Sequence, residues 1–451
     1  MTALMLWLPA CQVNLPATAV ATDAITPTPT PLPLQVVVNE EKTYQTIRYV
    51  AGGNFIHKFA QVSQALDPIG QLNVATFQPG VVRLRMELEA WEPANDDEDP
   101  AMFTWEAFQD TGAIRGAFQA LQLFDASGAE IILSAWDVPN WIVINPDNER
   151  GRMIAPENRP ELVEMIAAFL VHARDAYGVM VDFVSFNEPD IGVNVSLSPK
   201  ELVEIIRLAG ARFEELGLET RWLIGDCSNM KDCMYYLENI WKADDIRPYL
   251  GPVAFHSWDS YSPDVSLKAI REFAASHGLE VWCTEAGWDP FLWQNPQAFP
   301  GWNNALQLGL VYARVLKLTG ASALLYWEML GKDYPLNDGS QPFPSMQVIE
   351  QFHRHFPPGA QIVHTSPGEI TLYSVAARTP EGFSVALINL RKQAQVVQVR
   401  GVPEGRYTLT QVSQQGVALD GDSYPSQRGE ITLELSASSF NFLFVRIEPD
   451  E

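Results

Sequence analysis

Two short apolar runs in this chain each end in a glutamate: Phe183-Val184-Ser185-Phe186-Asn187-Glu188 and Val281-Trp282-Cys283-Thr284-Glu285. An apolar run of this length, bounded by polar residues, is the pattern of a strand buried on both faces of a parallel sheet. A carboxylate at the end of such a strand is costly unless it has a partner or a purpose. Two strands opening on one rim would hold a pair of carboxyls across a small gap. Cleavage of a glycosidic bond needs such a pair: one carboxyl protonates the leaving oxygen while the other attacks or supports the anomeric carbon. The two glutamates lie 285 − 188 = 97 residues apart, about what three βα units occupy in an eightfold barrel of roughly 250 residues. This spacing predicts barrel strands four and seven.

The elements that must position them follow from the rest of the chain. Strand patterns at 49–55, 81–88, 130–136, 181–187, 221–226, 253–258, 280–285 and 323–327 alternate with helical periodicity, as at 160–177, 199–216 and 302–318. Such alternation, with no Gly-rich dinucleotide fingerprint, predicts an α/β chain folded as a (β/α)8 TIM barrel rather than a doubly wound sheet. From about residue 351 the pattern changes to short alternating runs such as Ser384-Val385-Ala386-Leu387-Ile388 and Phe440-Asn441-Phe442-Leu443, which read as an antiparallel β-sandwich. The expected division is 1–33 for a leader and tether, 34–52 for N-terminal strands that join the side domain and enter the barrel, 53–350 for the barrel and 351–451 for the sandwich. Within 34–52, Val36-Val37-Val38 and 43–47 read as separate strands.

Composition narrows the partners. The 451 residues carry 30 Lys and Arg against 55 Asp and Glu, a net charge of −25, so nucleic acid and anionic lipid would be repelled. Neutral carbohydrate suits that surface, and Trp at strand ends would stack on sugar rings. The run Asp96-Asp97-Glu98-Asp99 reads as a solvated face, with a calcium site as the minority alternative. Leu8-Pro9-Ala10-Cys11 after an apolar run resembles a bacterial lipoprotein cleavage box, which would make Cys11 a lipid anchor; the alternative is a truncated secretion signal. Both place the protein at the cell surface or outside the cell, with no transmembrane helix in the mature chain. The alternating Thr26-Pro27-Thr28-Pro29-Thr30-Pro31 is an extended tether. Cys227 and Cys233 are either a short-loop disulfide or two free thiols, and Cys283 is a small core residue.

Taken in order, several segments resemble glycoside hydrolase clan A, and most closely family 30, the group that includes glucosylceramidases, xylanases and β-1,6-glucanases. They are Tyr44-Gln45-Thr46-Ile47, Ser134-Ala135-Trp136-Asp137-Val138-Pro139-Asn140-Trp141, Asn187-Glu188-Pro189, Thr284-Glu285 and the stretch from Phe352 through Pro357-Pro358-Gly359-Ala360. The resemblance spans most of 43–445. It implies a retaining hydrolase that needs no metal or organic cofactor, with Glu188 as general acid/base and Glu285 as nucleophile. Asn187 would hydrogen-bond the sugar 2-hydroxyl, and Arg83 would orient the nucleophile and keep it ionised, with Arg85 on the same strand face as a substitute. Trp327 would floor the sugar subsite, while Trp136 and His256 hold matching positions on strands three and six. Trp258 stands where the family often has Tyr, so the nucleophile's hydroxyl partner is open and Tyr261 is the nearest replacement. The resemblance also implies that residues 43–47 lie in the sandwich.

Bland readings stand beside these assignments. Asn187 is also suited to a strand-end cap, Arg83 and Arg85 to ion pairs with Glu87 or Glu89, and the aromatics and His256 to packing at the barrel mouth. Two alternatives for the whole chain are another clan A family, such as the family 39 β-xylosidases, and a surface carbohydrate-binding protein on a hydrolase scaffold. The sandwich offers Tyr373, Tyr407 and Tyr424 but no Trp, which predicts a bracing role rather than sugar binding.

Overall fold

The computed structural model describes residues 33–56, 66–366 and 370–447; Cys11 and nearly all of the Pro/Thr-rich stretch lie outside them. Among the described residues no helix is long and apolar enough to cross a membrane. Helix limits follow local chemistry, and the segment Pro199–Leu216 illustrates it. Ser198 and Glu201 form a reciprocal capping box, Pro199 supplies a preset first-turn φ, and Gly217 ends the helix in the left-handed region at φ 68°.

The first strand, β1 (Leu34–Thr46), belongs to the side domain. Eight parallel strands then close into a barrel: β2 (Tyr49–Phe55), β3 (Val81–Met86), β4 (Glu130–Ala135), β5 (Phe183–Phe186), β6 (Arg221–Cys227), β7 (Leu250–His256), β8 (Val281–Ala286) and β9 (Ala321–Tyr326). Around and between them run α1 (Pro68–Phe77), α2 (Leu88–Trp91), α3 (Gly112–Ala126), α4 (Arg159–Tyr177), α5 (Pro199–Leu216), α6 (Met230–Trp241), α7 (Asp264–His277), α8 (Trp302–Leu318) and α9 (Pro344–His355). Every residue of β5, β7, β8 and β9 is buried, as unbroken apolar runs covered by helices require. Glu188 therefore follows the fourth barrel strand, and Glu285 lies in the seventh.

The remaining strands, β10 (Gln361–Thr365), β11 (Leu372–Thr379), β12 (Gly382–Asn389), β13 (Gln395–Arg400), β14 (Gly405–Ser413), β15 (Gly416–Ser426), β16 (Glu430–Leu435) and β17 (Ser439–Arg446), form a nine-stranded sheet with β1 in the order β15-β14-β17-β12-β11-β10-β1-β13-β16. The two predicted N-terminal strands are one irregular strand. Its start pairs parallel with β13 and the rest pairs antiparallel with β10, with register breaks between Asn39 and Thr46. That bend lets the sheet fold over a core containing Val36, Val38, Val385, Leu387, Val397, Val399 and Leu443.

Several barrel strands stop short of their apolar pattern. Strand 181–187 is only Phe183–Phe186, and 253–258 ends at His256. The chain leaves the ladder where the candidate residues begin, so Asn187, Glu188, Trp258, Trp136 and Trp327 all sit just past a strand end.

The barrel and side domain meet tightly at Gly309 in α8. A Cβ there would lie 2.3 Å from the ring of Phe440, which is fully buried and packed edge-on against Trp302 and Phe352. Gly309→Ala gains about 0.5–1 kcal/mol in helix propensity and loses about 1–3 kcal/mol to overpacking. Net destabilisation is expected, measured as a lower denaturant midpoint with an unchanged m-value.

Candidate active site

The barrel interior is layered. Inward residues from the strands, among them Val81, Ile132, Phe183 and Trp282, form an apolar plug. Two residues further along each of these strands, on the same face by the two-residue period, stand Arg83, Ser134, Ser185 and Thr284, all buried. A polar floor thus rests on an apolar one.

That period should turn Glu285 outward, because Thr284 already faces in. The register between β8 and its neighbours breaks at this point, at Phe255/His256 on one side and Cys283/Ala286 on the other. An irregularity of this kind re-aims side chains, and both Thr284 and Glu285 reach the site. Asp226 arrives similarly: Gly225 and Cys227 pair with the successive residues Ala254 and Phe255, so Asp226 is an extra residue, at φ 52°. Glu188 also adopts a left-handed conformation, φ 46°, and its backbone N–H donates to the Asp226 carbonyl at 3.1 Å. Two non-glycine residues in this sparsely populated region meet at the mouth of the barrel, where such strain tends to mark function.

Arg83 is the hub. It is fully buried, and its Nη1 donates to Glu285 Oε1 at 2.8 Å and Asn54 Oδ1 at 3.1 Å. Its Nη2 donates to Asn187 Oδ1 at 2.7 Å, Asp226 Oδ2 at 2.8 Å and Ser134 Oγ at 3.0 Å. Because a guanidinium only donates, it fixes which end of the Asn187 amide is oxygen and leaves Nδ2 as the donor for a ligand. Ser185 and Thr284 donate to the two Asp226 oxygens at 2.6 Å each. Burial pushes the Asp226 carboxyl up, but Arg83, His256 and Ser185 outweigh it and hold the group well below the ordinary carboxylate range.

His256 lies between the two glutamates. Its Nδ1 is 2.9 Å from Glu188 Oε1 and 3.2 Å from Glu285 Oε2, while Nε2 is 3.4 Å from Asp226 Oδ1. The last contact is an ion-pair approach rather than a well-formed hydrogen bond. Burial opposes a charge on the ring, yet Glu285, Asp226 and Glu188 together push His256 up to about 10. One oxygen each of Glu188 and Glu285 and a His256 nitrogen lie within 4.8 Å of one another. Trp258 Nε1 donates to Glu285 Oε2 at 3.1 Å. Gly287 makes room for that indole, since a Cβ there would come within 2.1 Å of it. Burial pushes Glu285 up to about 7; His256 and Arg83 act against the rise, while Glu188 and Asp226 add to it.

The sequence candidates divide. Glu188, Glu285, Asn187, Arg83, His256 and Trp258 converge. Trp136 lies under Arg83, with the guanidinium 4.6 Å from its ring, and Trp327 is 6.0 Å from Trp136 between ring centres. Tyr261 does not join them. Its hydroxyl donates to Gln307 at 2.7 Å and the side chain is exposed, so the donor to Glu285 is the Trp258 indole. Arg85 is not a substitute for Arg83: it pairs with Glu87 and Asp137. Cys227 and Cys233 are buried free thiols, as is Cys283. Asp226 and Asn54 went unnoticed in the sequence. Asp226 had the same signal as the two glutamates, a carboxylate ending the apolar run Trp222-Leu223-Ile224-Gly225. Asn54, whose amide donates to the Thr284 and Tyr326 carbonyls at 2.8 and 3.1 Å, had none.

A cleft of about 540 Å³ opens beside Glu188 and Trp258, with Arg150, Phe291 and Trp293 on its walls. Phe291 and Trp293 are exposed. A smaller cavity, about 370 Å³ and lined by Arg314, Lys317 and Tyr373, lies apart from the carboxylates at the edge of the side domain.

No protein-family model matches this chain, and no curated protein matches it significantly. Solved structures do. A glycoside hydrolase family 30 subfamily 8 xylanase from Clostridium acetobutylicum superposes with a TM-score of 0.73 at 15% identity, covering 92% of this chain and 100% of the xylanase. A family 30 endoxylanase from Clostridium papyrosolvens gives 0.70 at 17% identity, with the same coverage of both chains. An endo-β-1,6-glucanase gives 0.62 at 14% identity, covering 92% of this chain and 94% of that one. What is shared is the fold: a TIM barrel carrying an antiparallel β-domain.

His256 is expected to stay protonated across neutral pH. In Asp226→Asn the imidazolium loses one of the negative charges facing it, so its pKa should fall by about one unit or more. Imidazole nitrogen shifts followed by NMR against pH measure this. An unchanged titration would contradict the contact geometry described here.

Proposed function

We propose that the chain is a glycoside hydrolase of family 30 that cleaves β-glycosidic bonds with retention, Glu285 being the nucleophile and Glu188 the general acid/base. The observation that carries this is the approach of a Glu188 oxygen and a Glu285 oxygen to within 4.8 Å. Retaining enzymes hold their carboxyl groups about 5–5.5 Å apart, whereas inverting ones need about 6.5–9.5 Å to admit a water. The fold neighbours, two of them xylanases and one a glucanase, support a carbohydrate substrate. The pairing of β1 with β10 and β13 favours family 30 over family 39, because family 30 is the one expected to place residues 43–47 in the side domain.

In the first step Glu285 attacks the anomeric carbon as Glu188 gives its proton to the departing glycosidic oxygen. The products are a glycosyl ester on Glu285 and a free alcohol. In the second step Glu188 takes a proton from water, the resulting oxygen nucleophile attacks the same carbon, and Glu285 leaves as a carboxylate. Arg83 and Trp258 hold the Glu285 oxygens in line, with hydrogen bonds at 2.8 and 3.1 Å. The Asn187 amide is placed to donate to the 2-hydroxyl, a contact that strengthens as the oxocarbenium-like transition state forms. Trp136 and Trp327 offer apolar faces to the ring. Phe291 and Trp293 extend the apolar wall into the cleft, suited to further sugar units. The Leu8-Pro9-Ala10-Cys11 box and the Pro/Thr tether support action at the cell surface or outside the cell.

Glu285→Gln should lower turnover of β-glycosides by a factor of about 10⁴ or more, through loss of the covalent route. Glu188→Gln should retain activity only on substrates with good leaving groups, and azide should then give a β-glycosyl azide. An α-configured azide, or wild-type activity in both variants, would overturn the assignment. The pH profile gives a separate check. Glu285 must be ionised to attack, so kcat/KM should be present above about 7 and lost as pH falls through that value.

A further inference from the structure

A second group of carboxyls lies away from the catalytic pair, on the same face of the barrel. Glu92 follows α2, Asp96 lies in the loop after it, and Glu161 and Glu164 stand three residues apart on one face of α4, near its start. Oxygens of Asp96, Glu161 and Glu164 fall within 4.8 Å of one another. Acidic clusters are common on protein surfaces, but this one extends into the core. Glu92 is 0% exposed and Glu164 1% exposed. Both carboxylate oxygens of Glu164 are buried with no hydrogen-bond partner, as are Glu92 Oε2 and Glu161 Oε2.

Among the described residues no Lys, Arg or His forms an ion pair with any of the four. The charges that act most strongly on Glu164 are those of Asp96, Glu92 and Glu161, all acidic. The arginine at the start of α4, Arg159, is engaged by Glu201 and Glu204. The loop that carries Asp96 is nevertheless fixed, since the Asp96 oxygens accept the backbone N–H groups of Asp97 and Thr104 at 2.8 Å each. A buried carboxylate facing only other carboxylates is stable in few ways: it keeps a proton or it shares a metal ion.

We propose that Asp96, Glu161 and Glu164, with Glu92 behind them, bind one calcium ion that fastens the loop after β3 to the first turns of α4. An all-oxygen, all-carboxylate set selects a hard cation. Calcium takes six to eight oxygens at about 2.3–2.6 Å in flexible geometry, so opposite ligands lie about 4.6–5.2 Å apart; magnesium, at about 2.0–2.1 Å, draws them to about 4.0–4.2 Å in a strict octahedron and keeps most of its waters. The exposed side of Asp96 leaves room for water to complete the shell. The buried oxygens of Glu164 that lack a hydrogen-bond partner face the same gap as Asp96 and Glu161, and a divalent charge placed there offsets their mutual repulsion.

The test uses the full chain, stripped with chelator and titrated with calcium chloride by calorimetry, with magnesium chloride in parallel. One calcium per chain is expected, preferred over magnesium, with a rise of roughly 2–5 °C in unfolding temperature at saturation. Glu164→Gln and Asp96→Asn should each weaken calcium binding at least tenfold; the second lies in the loop and leaves the helix intact. No binding at about 10 mM calcium, preference for magnesium, or unchanged affinity in both variants would overturn the proposal. Stabilisation by Glu164→Gln without calcium dependence would instead identify a shared proton, and would equally overturn it.

Discussion

Five ionisable groups are buried together at the mouth of this barrel, and the need to keep their charges balanced constrains everything around them. Three are carboxyls, Glu188, Glu285 and Asp226, and two are cations, Arg83 and the protonated His256. A buried surplus charge is expensive, so neutrality requires that one of the three carboxyls carry a proton. Asp226 is held ionised by Arg83. The proton therefore belongs to the Glu188–Glu285 pair, where catalysis would use it.

That balance depends on backbone irregularities. A regular strand presents alternate residues to one face and would bring either Thr284 or Glu285 inward, but not both. The register breaks beside β8 and the extra residue at Asp226 crowd more polar groups into one layer than eight regular strands supply. Below them the apolar plug around Phe183 and Trp282 excludes water, which strengthens every charge interaction above it. The side domain acts further out. Phe440 of β17 packs against α8 and α9, so barrel helices are held from the side away from the site.

The parts of this arrangement that follow from periodicity were legible in the sequence. Apolar runs marked the barrel strands, the 97-residue interval placed the two glutamates on strands four and seven, and helical periodicity over 199–216 matched α5. What periodicity does not encode was hidden. Asp226 looked like the end of an ordinary strand, because nothing in Ile224-Gly225-Asp226-Cys227 announces a bulge. Tyr261 was a plausible donor because a phenol was expected near the nucleophile. Trp258 fills that role instead, because Gly287 lets its ring lie flat enough for the indole nitrogen to reach Glu285. Arg83 and Arg85 share a strand face and differ only in depth: the deeper one meets the carboxylates, and the shallower one meets Asp137 at the rim.

The same charge balance bears on the proposed reaction. At the start Glu188 is neutral and Glu285 and Asp226 are negative, opposite two positive groups. When Glu188 has given up its proton and Glu285 has become an ester, Glu188 and Asp226 are negative instead, and the sum is again zero. The negative charge has moved from one glutamate to the other across His256, whose Nδ1 is within 3.2 Å of both. The imidazolium can follow the charge by exchanging one hydrogen bond for another, without moving and without passing its proton on. A buried site that stays neutral through both half-reactions incurs no renewed desolvation cost at either. On this view the function of His256 is to make the two ends of the step electrostatically alike.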